Sequence, residues 1–141
     1  MVKVMASGVF DLIHPGHISY LNQAKALGDH LTVVVACDAT VKKRKHDPVT
    51  PEDMRALIVG SLKPVDEVVI GIDGDMYETV KKVNPDIIVL GYDQVFDEKT
   101  LEADLESKGL TGIKVVRASE VADDLNATRR IIAKIREMSS Q

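Results

Sequence analysis

The stretch that decides the fold is residues 2–28, VKVMASGVFDLIHPGHISYLNQAKALG. Val2 to Ala6 is a short apolar run without clean alternation, the pattern of a strand buried on both faces. Ile18, Leu21, Ala24 and Leu27 then recur at helical spacing, and Gly28 is placed to end that helix. A buried strand that passes through a turn carrying Gly and Pro into an amphipathic helix opens a parallel β-α-β unit.

The rest of the chain repeats the unit. Leu31 to Cys37, Val65 to Gly71, Asp86 to Gly91 and Ile113 to Val116 are further apolar runs of strand length. Thr50 reads as an N-cap before Pro51, with Glu52 and Asp53 in the first turn and Met54, Leu57, Ile58 and Leu62 on one face. Asp75 to Val83, Glu98 to Lys108 and Ala127 to Met138 predict three more helices, the last striped by Ile131, Ile132, Ile135 and Met138. Asp38 to Val49 reads as a long charged loop. The alternation predicts an α/β fold with a doubly wound, five-stranded parallel sheet in the order 3-2-1-4-5, whose ligands bind beyond the carboxyl ends of the strands.

The chain has 141 residues, enough for one domain (1–141) and no second sizeable one. Its composition, 45% hydrophobic and 28% charged, is that of a globular protein and excludes disordered, collagen-like and disulfide-scaffold classes. A net charge of −4 argues against nucleic-acid binding by bulk charge, so any anion site is local. The lone Cys37 lies in an apolar run and reads as a buried structural thiol suited to a reducing cytoplasm. No secretory signal and no apolar run long enough to span a membrane is expected.

The turn after the first strand carries the chemistry. It contains neither GxGxxG nor the Walker pattern. It reads Gly8-Val9-Phe10-Asp11, then His14-Pro15-Gly16-His17 at the helix start. Pro15 suits a first helical turn, Gly16 admits a ligand close to the backbone, and unpaired N–H groups at a helix N-terminus attract anions. Two imidazoles separated by two residues can both donate to one phosphoryl group. A lone histidine here is more simply a cap or a surface residue; the pair directly behind a buried strand reverses that preference.

These residues resemble the GxFD and HxGH signature of the cytidylyltransferase-like nucleotidyltransferases, which join a phosphorylated small molecule to a nucleoside monophosphate. The resemblance extends through DATVKKRK, PEDMR, KPVDEVVIG and IIVLGYDQ, and is strongest toward the archaeal branch that adenylylates FMN. It implies ATP and FMN as substrates, a divalent metal ion such as Mg²⁺ carried on the nucleotide, and no nucleic-acid or membrane partner. His14 and His17 would act on the α-phosphate. The basic run Lys42 to Lys45 would reach phosphate, with Lys42 and Lys45 as the catalytic candidates and a solvated charge run as the plain alternative. Gly8, Val9, Phe10, Asp11, Pro15 and Gly16 would form the nucleotide turn. Arg55 would touch acceptor phosphate or the loop, against a surface-residue alternative, while Gly91 and Asp93 would meet ribose or base. Asn126 and Thr128 would stand where relatives bind the pyrophosphate side, although Ala127 lacks the hydroxyl common there. No resident metal cluster is expected. A homodimer is compatible with the pattern, though no large uncompensated apolar stripe demands one. A CTP-dependent transfer to glycerol-3-phosphate and a non-catalytic nucleotide-binding domain are the other readings.

Overall fold

A computed structural model describes residues 1–44, 47–91, 94, 96–119 and 128–140. Strands β1 (Lys3–Gly8), β2 (His30–Val35), β3 (Glu67–Ile70), β4 (Ile87–Leu90) and β5 (Lys114–Arg117) form one sheet in the order β3-β2-β1-β4-β5. Every pairing is parallel, as the alternation of elements predicts. β1 pairs with β2 along its whole length, Lys3 to Gly8, but with β4 only from Val4 to Ala6. Past Ala6 the two central strands part, and that gap is the switch point of the sheet.

The lack of alternation in the strands has a direct cause, since both faces of the sheet are covered. Val4, Ala6, Val33, Val35 and Val89 point to one face, against Leu21 and Ala24 of α1 (Pro15–Lys25) and Val59 of α3 (Glu52–Gly60). Met5, Val34, Ile88 and Leu90 point to the other, against Val80 and Val83 of α4 (Met76–Val83) and Leu101 and Leu105 of α5 (Glu98–Ser107). Among the described residues no helix is long and apolar enough to cross a membrane.

Several local expectations are corrected. Asp38 to Arg44 is not loop but a short helix, α2, with Asp38 in its first turn and, among its described side chains, only Val41 inside the core. In α3 the side chains turned inward are Arg55 and Val59, while Met54, Leu57 and Ile58 are exposed. Pro51 occupies the N-cap position without a side-chain bond, because the Thr50 hydroxyl is bound to Asp11 instead. Gly28 does not supply a left-handed stop, since α1 ends at Ala26 with φ −63°. Its own Cβ would stand 2.7 Å from Val4 Cγ2 and 2.8 Å from Val2 O, so close packing excludes a side chain there. The last helix, α6 (Thr128–Ser139), leaves Ile135 and Met138 exposed. Cys37 is buried, as expected, with Sγ 3.2 Å from Thr40 Oγ1.

Aspartates gather at the amino edge of the sheet, away from the switch point. Asp29, Asp86 and Asp66 accept from the backbone N–H of Val2, Lys3 and Leu31 at 2.7–2.8 Å. Asp66 also pairs with Lys25, and the hydrogen bond from that ammonium, then the Leu31 N–H, hold its carboxyl below the usual carboxylate range. Asp97, the N-cap of α5, is lowered first by the Thr100 N–H. A depressed pKa contributes stability that is complete above the unfolded value and is lost as pH falls through the folded one. The urea midpoint is therefore expected to drop as pH falls below about 4, with a shallower drop in Asp66→Asn. A midpoint whose acid limb is the same in both proteins would contradict the assignment to Asp66.

Candidate active site

The turn after β1 is built around two non-glycine residues in the left-handed region, Phe10 and Leu12, each with φ 56°. Such conformations are costly and persist only where the surroundings enforce them. At Phe10 the enforcement is burial, for the ring is 2% exposed. It stacks on Tyr20 with centroids 6.2 Å apart and tilts against His17 at 5.4 Å, and the His17 and His14 rings lie 3.8 Å apart. A column of four rings thus runs from the switch point to the start of α1. Gly8 serves this column: an added Cβ would stand 3.0 Å from Phe10 Cε2. Gly8 and Phe10 therefore serve the packing of this turn.

The histidines form a reciprocal cap. The Gly16 N–H donates to His14 Nδ1 at 3.1 Å, and the His14 N–H donates to His17 Nδ1 at 3.3 Å. The N–H groups of His17 and Ile18 turn back to His14 O. The expectation that bare backbone N–H groups at Gly16 would meet an anion is corrected, since His14 itself takes that donor. Because each Nδ1 accepts, the proton of each neutral imidazole sits on Nε2. The amide that donates to each Nδ1 polarises the ring toward its Nε2–H. Pro15 fills the first helical position, where its missing N–H costs nothing.

Asp11 and Arg55 hold the turn from below. The Asp11 carboxylate, 4% exposed, accepts from the N–H groups of Val49 and Thr50 and from the Thr50 hydroxyl at 2.6–3.0 Å. Arg55 is fully buried. Its guanidinium donates to Thr50 O, Val9 O and Ala36 O at 2.7–2.9 Å and to Asp38 Oδ1 at 2.6 Å. Glu52 accepts from the Asp38 N–H at 2.9 Å. One planar cation thus fastens the turns after β1 and β2 and the approach to α3. Of the two expectations for Arg55, acceptor phosphate or the loop, the hydrogen bonds match the loop: its donors point to the protein, so that it acts as a positioning residue. Val9 and Asp11 likewise act within this scaffold, through their carbonyl and carboxylate.

Of the basic run, Lys43 bonds Asp73 at 2.9 Å, and that contact, with the Thr40 hydroxyl, lowers the Asp73 pKa. Lys42, exposed in the last turn of α2, has no ion pair or hydrogen bond among the described residues. Lys45, Asp93 and Asn126 lie outside the described residues, and Thr128 opens α6. Gly91 sits at the end of β4, its carbonyl accepting from Arg117 Nη1 at 3.0 Å. Sequence reasoning missed three residues here. Tyr20 brings its hydroxyl to Ser7 N and Val89 O, bridging the parted strands. Arg117 also donates to Gln94 O and Phe96 O, pinning the segment after β4, and Gln94 reaches across to Ser7 O. No local pattern marks them, since each acts over a long sequence separation. Among the described residues no group of three or more His, Cys, Asp or Glu is placed to hold a metal ion.

Comparison with known proteins gives a consistent result. The model of the cytidylyltransferase-like family matches residues 5–136. A protein named FAD synthase from Aciduliprofundum boonei is 57% identical over 136 residues, covering 96% of this chain and 91% of its own. The FAD synthase of Thermoplasma volcanium is 46% identical over 138 residues, covering 98% and 96%. A crystal structure from Thermoplasma volcanium, titled as a lipopolysaccharide core biosynthesis protein, superposes with TM-score 0.84 and 48% identity, covering 86% of this chain and 98% of that one.

Replacing Arg55 tests its reassignment. Arg55→Lys keeps the charge but cannot reach four acceptors on separate segments, and is expected to lower unfolding stability by about 1–3 kcal/mol in denaturant titration. Unchanged stability with only a raised substrate KM would restore Arg55 as a ligand contact.

Proposed function

The chain belongs to the cytidylyltransferase-like family, and from that membership we propose that it transfers the adenylyl group of ATP to FMN, giving FAD and pyrophosphate. The observation that carries the reading is the reciprocal cap, which fixes both imidazoles as Nε2 donors at the amino end of α1. The high identity to proteins named FAD synthase supplies the acceptor.

An oxygen of the FMN phosphate attacks the α-phosphorus of ATP in line. A new P–O bond forms as the bond to the bridging oxygen of the β-phosphate breaks, and pyrophosphate leaves with that electron pair. The nucleophile is already ionised at neutral pH, so the histidines need not act as bases. Their Nε2–H groups donate to the α-phosphate oxygens, where charge shifts in the transition state. A divalent ion arrives on the triphosphate as part of the substrate and neutralises the leaving group. Lys42 and Lys45 are assigned to the phosphates, Gly91 and Asp93 to the nucleoside, and Asn126 and Thr128 to the pyrophosphate side. Arg55 and Asp11 keep the turn rigid so that the donors are preorganised when substrate arrives.

The direct test measures pyrophosphate release over the four nucleoside triphosphates with FMN, riboflavin and glycerol-3-phosphate as acceptors. Release from ATP with FMN, with FAD as the coupled product, is expected to exceed every other pair. Brisk release from CTP with glycerol-3-phosphate and none from ATP with FMN would overturn the acceptor and base assignment. Nucleotide binding without turnover in any pair would replace the enzyme with a binding domain.

A further inference from the structure

The end of β4 holds a group that the reaction as described leaves unused. Gln94 Nε2 donates to Ser7 O at 3.1 Å, across the gap where β1 and β4 part. The Gln94 N–H donates to Gly91 O at 3.2 Å, and the Gln94 carbonyl accepts from Arg117 Nη1 at 2.8 Å. The residue is held at both ends. Its Oε1 is nevertheless buried, and among the described residues no donor reaches it. Turning the amide over would place Oε1 against Ser7 O, acceptor on acceptor, so the orientation is fixed. Nor does Ser7 O depend on Gln94, for the Tyr20 hydroxyl lies 3.0 Å away. A buried acceptor left unpaired is disfavoured, and folded proteins keep few of them.

We propose that Gln94 Oε1 accepts a hydrogen bond from the bound nucleotide, donated by the adenine amino group or a ribose hydroxyl. The position fits: Gln94 sits at the switch point, where the ligand of a doubly wound sheet lies. The chemistry also narrows the source. Triphosphate oxygens are acceptors only, so the donor belongs to the base or the sugar. A donor on the bound nucleotide relieves the orphaned oxygen in the bound state alone. The inference rests on ATP being the nucleotide of the proposed reaction.

The test compares kcat/KM for ATP, ITP, 2′-deoxy-ATP and 3′-deoxy-ATP at saturating FMN in the wild type and in Gln94→Met, with Gln94→Ala repeating the comparison if the first variant does not fold. The wild type is expected to disfavour one analogue by about tenfold or more. The variant should lose that preference while using the same analogue as well as the wild type does. Loss of discrimination against ITP identifies the amino group; loss against a deoxynucleotide identifies the hydroxyl. Wild-type discrimination retained in the variant, or a raised KM for FMN alone, would overturn the proposal. If the wild type does not couple ATP to FMN, the adenylyl-transfer reading fails instead, and calorimetric binding of the same nucleotides carries the Gln94 comparison.

Discussion

Two backbone amides govern the carboxyl edge of this sheet. The N–H groups of His14 and Gly16, donating to the Nδ1 atoms of His17 and His14, fix the tautomer of both rings and close the start of α1. A helix N-terminus ordinarily offers anions its own unpaired amides. Here the imidazoles take those amides, so that in the proposed reaction the positive end of the helix acts through a ring. The placement of those rings is then a packing problem, solved by Phe10 and Tyr20 behind them.

That arrangement explains the strain in the preceding turn. Phe10 reaches the core only through a left-handed backbone, Gly8 leaves room for its ring, and Asp11 and Arg55 tie the turn to the segments entering α2 and α3. The buried guanidinium answers four oxygens on otherwise separate stretches of chain. Arginine suits this place because its planar fork holds several acceptors at once without losing its charge. The site is therefore rigid below and polar above, the division of labour a phosphoryl-transfer site requires.

The strand order and the turn that carries the candidate site were legible because they follow from patterns of short range: apolar runs of strand length, helical periodicity between them, and HPGH after the first strand. What escaped reading was tertiary. The α3 face defined by Met54, Leu57 and Ile58 faces solvent, because the acceptors around Arg55 rotate that residue inward, and periodicity cannot see acceptors contributed by other segments. The seven residues of α2 were hidden by a run of cations, since among its described side chains Val41 alone is buried. Gly28 looked like a helix stop and Gly8 like part of a nucleotide turn, and both are places where a neighbouring side chain needs the volume. Tyr20, Gln94 and Arg117 act through oxygens far away in sequence, and nothing local announces them.

In the proposed reaction each histidine divides its labour between two nitrogens, one for the fold and one for the phosphate. The substitution His17→Asn separates them, because the amide oxygen can stand in for Nδ1 while nothing replaces Nε2–H. The measurement is turnover at saturating ATP and FMN together with the melting temperature of the same sample. A melting temperature close to wild type with kcat lower by roughly 10²–10³ is the predicted result. Wild-type turnover in a protein of undiminished stability would contradict the claim.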